Sequence, residues 1–164
     1  MNINKGVEWA AHACFLLAAL PKNWTLSAQA LAEFHDVPPA YMAKQMQALS
    51  RAGLVKTSTG RKGGYSLAKE SQDISMWDIM AAIEGANPSF RCTEVRQKGP
   101  CGISEKDCNA PCAIAKTFYT AEQAFRASLQ TTSLSEIIQS VANNASKDKV
   151  EEITKWLNAN AMQP

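Results

Sequence analysis

Residues 27–67 read SAQALAEFHDVPPAYMAKQMQALSRAGLVKTSTGRKGGYSL, and their pattern decides the fold. Residues 26–34 predict a short helix, with Ser27 as N-cap and Leu31 and Phe34 on one face. HDVPP then turns the chain, and Pro39 suits the first position of a helix over 39–52. Met42, Met46 and Leu49 form its inner face, and Gly53 suits the residue just past its end. Residues 54–67 read as two short strands around a glycine-rich, basic turn, which predicts a hairpin. Helix, turn, helix and basic hairpin together predict a mainly helical winged helix-turn-helix fold with a small β-hairpin wing.

Charge placement gives that fold a purpose. Between Val37 and Lys69 lie Lys44, Arg51, Lys56, Arg61, Lys62 and Lys69, with no acid; all 15 acids lie elsewhere. The net charge is only +2, so this is a local patch on a balanced chain. Such a patch on this fold predicts double-stranded DNA as the partner. The second helix of the motif would enter the major groove, with Pro39, Ala40, Tyr41, Lys44 and Gln45 nearest the DNA. Gly60, Gly63 and Gly64 would let the wing backbone approach the duplex, and Arg61 would enter the minor groove, with Lys62 beside it.

Upstream, GVEWAAHACFLLAAL spans residues 6–20 of a first helix that Pro21 stops. Its strongly polar residues, Glu8 and His12, are four apart and share one helix face. A buried carboxylate needs a partner or a metal, so the pair predicts a site. Cys14, in the same run, reads as core. The run is too short to span a bilayer and there is no signal peptide pattern, so a cytoplasmic protein is expected.

Downstream, Ser75 and Asp78 mark a helix start and Gly85 its end. Residues 86–111 hold three prolines, two glycines and three of the 5 cysteines, without periodicity. A loop of this length inside a domain points to function. After Pro111 a long helix carries Ile114, Phe118, Ala121 and Phe125 at 4-3-4 spacing, a seam expected to pack on a second copy of the chain. Ser133 with Glu136 starts another helix, and a last one over 147–157 turns Val150, Ile153 and Leu157 inward. The expected division is a DNA-binding unit over 1–85, a cysteine loop over 86–111, and dimerisation and C-terminal helices over 112–164, in one compact chain of 164 residues.

The metal candidates are Glu8, His12, His35 at the end of the second helix, and Cys92 in the loop. Cys101, Cys108 and Cys112 follow Cys92 at spacings C-x8-C-x6-C-x3-C, which match no common zinc motif closely. LAEFHDVPPAYMAKQMQALSRAGLV, then GRKGGYSL, the cysteine loop and the long helix resemble the Rrf-type dimeric winged-helix regulators typified by IscR, NsrR and RsrR. GVEWAAH, EFHDVPPAY and FRCTE bring the likeness nearest to the RsrR branch. That resemblance implies a repressor with a [2Fe–2S] cluster held across a homodimer, by Glu8 and His12 of one chain and His35 and Cys92 of the other. It implies redox sensing, with tighter DNA binding in the oxidised form. It assigns no role to Cys101, Cys108 and Cys112, which stay open as thiols, a redox pair or alternative ligands. A cluster-free regulator that senses through thiol or disulfide chemistry or a bound ligand is the competing expectation. No substrate pocket is marked, so an enzyme is not expected.

Overall fold

The computed structural model describes residues 3–58, 60 and 63–163. Arg61 and Lys62 lie outside the described residues. Seven helices and one hairpin follow in order: α1 (Lys5–Ala18), α2 (Ala28–Phe34), α3 (Pro39–Arg51), β1 (Val55–Ser58), β2 (Gly64–Leu67), α4 (Met76–Glu84), α5 (Ala113–Gln130), α6 (Leu134–Asn144) and α7 (Lys147–Asn160).

The helix boundaries have local causes. Asn4 caps α1 by accepting the Gly6 amide at 2.7 Å, and Ser27 caps α2 by accepting the Ala30 amide at 3.0 Å. Asp36 takes a left-handed conformation (φ 51°) after α2, and the Val37 amide closes back on the Ala32 carbonyl at 2.9 Å. The chain thereby enters α3 directly, with Pro39 in its first turn. Gly53 (φ 70°) ends α3 and hands the chain to β1. Both capping boxes form, Ser75 with Asp78 on α4 and Ser133 with Glu136 on α6. Replacing Ser133 by alanine is expected to cost about 1 kcal/mol of stability, read as a lower urea midpoint at unchanged slope.

The wing pairs antiparallel, from Val55 opposite Leu67 to Ser58 opposite Gly64. Leu26 and Tyr65 then exchange two backbone hydrogen bonds, at 3.0 and 2.8 Å, which pin the wing to the start of the helix-turn-helix. A Cβ on Gly64 would lie 2.8 Å from the Leu26 carbonyl oxygen. Gly64 is therefore a packing glycine: it is buried against Leu26, and its expected approach to DNA is corrected. The C-terminal segment joins the same edge, where Thr25 and Met162 exchange hydrogen bonds of 3.0 and 2.8 Å.

The core is shared by α1, α2, α3, α4 and the hairpin. Leu16, Leu26, Leu31, Met42, Met46, Leu49, Ile74, Ile79 and Leu134 are fully buried. Val150, expected inward on α7, is 48% exposed, while Leu157 is buried. The seam of α5 is open: Ile114 is 66% and Phe118 52% exposed. Phe90 from the loop stacks on Phe118 with ring centroids 4.7 Å apart.

Candidate nucleic-acid interface and ligand-donor groups

On α3, Pro39, Ala40, Tyr41 and Lys44 are exposed. Tyr41 leans edge-on against Trp9 of α1, with centroids 6.0 Å apart. Gln45 is 7% exposed, and a Cβ on Gly6 would come within 2.9 Å of its amide group. Its place as a DNA-reading residue is corrected: the missing side chain of Gly6 makes room for Gln45 beneath α1. Arg51, Lys56 and Lys69 are exposed around the wing, and Gly63 is half-buried.

Glu8 and His12 stand together on α1, and both are exposed. The buried carboxylate expected from the sequence is corrected. The buried stripe of α1 runs through Val7, Ala10, Ala13, Cys14 and Leu17, and leaves Glu8 and His12 outside it. His35 follows α2 and is half-buried, its ring 5.5 Å from that of His12. Burial, and then the nearby His12 charge, lower its pKa, although a hydrogen bond to the His12 backbone works the other way. The His35 Nε2 is buried with no hydrogen-bond partner among the described residues.

A second group forms in the loop. The Cys92 thiol donates to Glu94 Oε1 at 3.6 Å. Arg96 pairs with Glu94 at 2.7 Å and donates to the Ala110 carbonyl at 2.8 Å, which folds the loop back on itself. This brings Cys112, just before α5, near Cys92 and Arg96. The amide of Ala115 holds the Cys112 thiol below the ordinary range, helped by the amide of Ile114 and by Arg96, against the effect of burial. Cys108 is half-buried near Arg96, and Cys101 is exposed. Cys14 is sealed in the core, where burial pushes its thiol up to about 12.

A Glu–His pair thus stands on α1, and Cys92, Glu94 and Arg96 gather in the loop. Among the described residues of one chain, no three His, Cys, Asp or Glu side chains come together as a metal site. The sequence left Cys112 open; its signal was a cysteine placed directly before a long helix, where backbone amides stabilise a thiolate.

Residues 3–140 match the family model Rrf2, whose description is "Iron-dependent Transcriptional regulator". YffB of Lactococcus lactis, assigned to the HTH-type transcriptional regulators, is 32% identical over 152 residues, covering 93% of this chain and 96% of the relative. Solved structures similar in fold include T. potens IscR (TM-score 0.67, 20% identity, covering 89% of this chain and 92% of that one). CymR of B. subtilis, titled the global cysteine regulator of that organism, is similar at TM-score 0.65 and 21% identity, covering 85% and 97%. The chain therefore belongs to the Rrf2 family: it is a transcriptional regulator on a winged helix-turn-helix fold, not an enzyme.

Proposed function

We propose that this protein is a homodimeric DNA-binding repressor that senses redox state through a [2Fe–2S] cluster shared between its protomers. The observation that carries this reading is the donor pair on α1: Glu8 and His12 lie one helical turn apart on an open face, with the His35 ring 5.5 Å from that of His12. Thiolate, imidazole and carboxylate suit iron, and Glu8, His12, His35 and Cys92 supply the four protein ligands such a cluster takes.

The donors are Glu8 and His12 of one protomer with His35 and Cys92 of its partner. The Nε2 atom of His35 is buried with no hydrogen-bond partner among the described residues, a donor that a metal would satisfy. The open seam of α5, with Ile114 and Phe118 exposed, is the surface that would bring the second copy into place.

When bound, the cluster supplies a one-electron couple; an imidazole in place of a thiolate raises its potential. The chain's part is to carry a change at Glu8 and His12 to α3. Trp9 follows Glu8 in α1 and rests on Tyr41 of α3, while His35 ends the helix just before it. Two α3 helices must match a fixed half-site spacing, so a small tilt changes affinity. The experiment is an anaerobic titration of operator duplex with oxidised and reduced protein, expected to show tighter binding when oxidised; equal affinities would remove the redox reading.

DNA binding itself has a separate test. Lys44 is exposed on α3, in the acid-free segment. Lys44→Ala is expected to weaken duplex binding evenly across sequences and to lower the slope of log affinity against log salt by about 1. An unchanged slope would take Lys44 off the phosphate backbone. Among the described residues no helix is long and apolar enough to cross a membrane.

A further inference from the structure

We propose that α7 and the tail behind it clamp α2 at both ends, with Trp156 as a positioning residue that sets how α3 meets DNA. The inference rests on α3 as the DNA-reading helix and is independent of any cluster. Helix α7 lies beyond residues 3–140, which match the family model, so that match gives it no role.

Helix α2 is only 7 residues long, too short to hold its place by its own hydrogen bonds. At its start, Thr25 and Leu26 are paired on both sides. Leu26 exchanges backbone hydrogen bonds with Tyr65 of the wing, and Thr25 exchanges them with Met162 of the tail, at 3.0 and 2.8 Å. At its end, Phe34 lies edge-on to Trp156 of α7, with ring centroids 4.7 Å apart, and edge-on to His35 at 4.9 Å. Edge-to-face rings at this spacing attract and fix a mutual orientation. The seating of α7 is concentrated in its second half: Val150 is exposed, whereas Leu157 is buried, and Ile153, Trp156 and Ala161 pack against the core. Its opposite face carries the exposed ion pairs Lys149–Glu152 and Lys155–Glu151 and meets water.

The grip passes to α3 without slack. Only residues 35–38 separate the two helices. Asp36 turns the chain in its left-handed conformation, and the Val37 amide closes on the Ala32 carbonyl at 2.9 Å. The amides of Tyr41 and Met42 then both close on the Pro38 carbonyl, at 3.0 and 3.2 Å. A shift of Phe34 therefore displaces the start of α3, where Ala40, Tyr41 and Lys44 are exposed. Phosphate contacts tolerate such a shift, because a long cationic side chain can follow a backbone charge; base-edge contacts do not. Loss of the clamp costs sequence preference and spares non-specific binding.

The test uses full-length protein and two duplexes of equal length, one selected from a random pool by the wild type and one scrambled. Trp156→Ala is expected to bind the selected duplex about ten-fold more weakly, and the scrambled duplex as well as the wild type does. Trp156→Phe keeps an aromatic edge against Phe34 and should keep the preference. Met162→Pro should lower the preference in the same direction. It removes the amide that bonds to Thr25, and Ala161 is already extended, as a residue before proline must be. Equal losses on both duplexes, in step with a lower urea midpoint, would mean that α7 only stabilises the fold, and overturn the proposal. An unchanged preference in Trp156→Ala overturns it too; if that variant does not fold, an unchanged preference in Met162→Pro does so. A wild type that selects no duplex would overturn both this inference and the DNA-reading role of α3.

Discussion

Protomers carrying His12→Ala and protomers carrying Cys92→Ser, each unable to hold a cluster alone, are expected to regain iron when combined in one dimer. The expectation follows from the division of donors. Glu8 and His12 sit on α1, His35 follows α2 and Cys92 lies in the loop, and no single chain gathers three donors as a metal site among its described residues. In the mixed dimer, the His12→Ala protomer still offers intact His35 and Cys92 and the Cys92→Ser protomer still offers an intact α1. One of the two shared sites is whole, and the other is broken on both sides. Two affinity tags isolate the mixed dimer, and iron analysis should give half the wild-type content. If the donors instead came from one chain, every site in the mixed dimer would be broken and no iron would return. Both substitutions lie on exposed or half-buried positions, so the fold and salt-dependent DNA binding should survive.

The second large effect is on the fold. Leu49→Ala is expected to cost about 2–5 kcal/mol, because a fully buried leucine leaves a cavity that its neighbours only partly fill. Small domains have only about 5–15 kcal/mol in total, so the loss should appear as a large drop in urea midpoint with little change in slope. DNA affinity should fall with it, since Leu49 and Met46 on one face of α3 fix how Lys44 and Tyr41 are presented on the other. A shift no larger than that of Ser133→Ala would mean that α3 is not seated in the core as described.

The fold was legible because its signals are local. Ser27, the Ser75–Asp78 box, the Ser133–Glu136 box and Gly53 each act within one turn of chain, and each forms as its spacing predicts. Periodicity also placed Met42, Met46 and Leu49 inward. It misled where polarity and position disagree. Gln45 lies at the same inward spacing as those three, yet its place near the start of α3 suggested a DNA-reading role; the deciding partner, Gly6, is on another helix. Gly64 was expected to let the wing approach DNA, whereas the Leu26 carbonyl pressed against it is the reason for glycine there.

The site was half legible. Glu8 and His12 declare themselves by their spacing in an apolar helix, although they prove to sit on its open face. His35 matched a pattern, but burial of its Nε2 depends on how α2 meets α1, which spacing does not encode. The place of Cys92 depends on a folded loop held by Arg96, a nonlocal arrangement with no period to reveal it.

The most direct measurement is iron and acid-labile sulfide on protein purified without oxygen, with an EPR spectrum after reduction. A [2Fe–2S] site shared across the dimer predicts about two irons and two sulfides per chain and a reduced signal of mixed nitrogen, oxygen and sulfur ligation. Absence of iron and sulfide under strict anaerobiosis would contradict the cluster, and would leave a winged-helix regulator that senses through its loop thiols or a bound ligand.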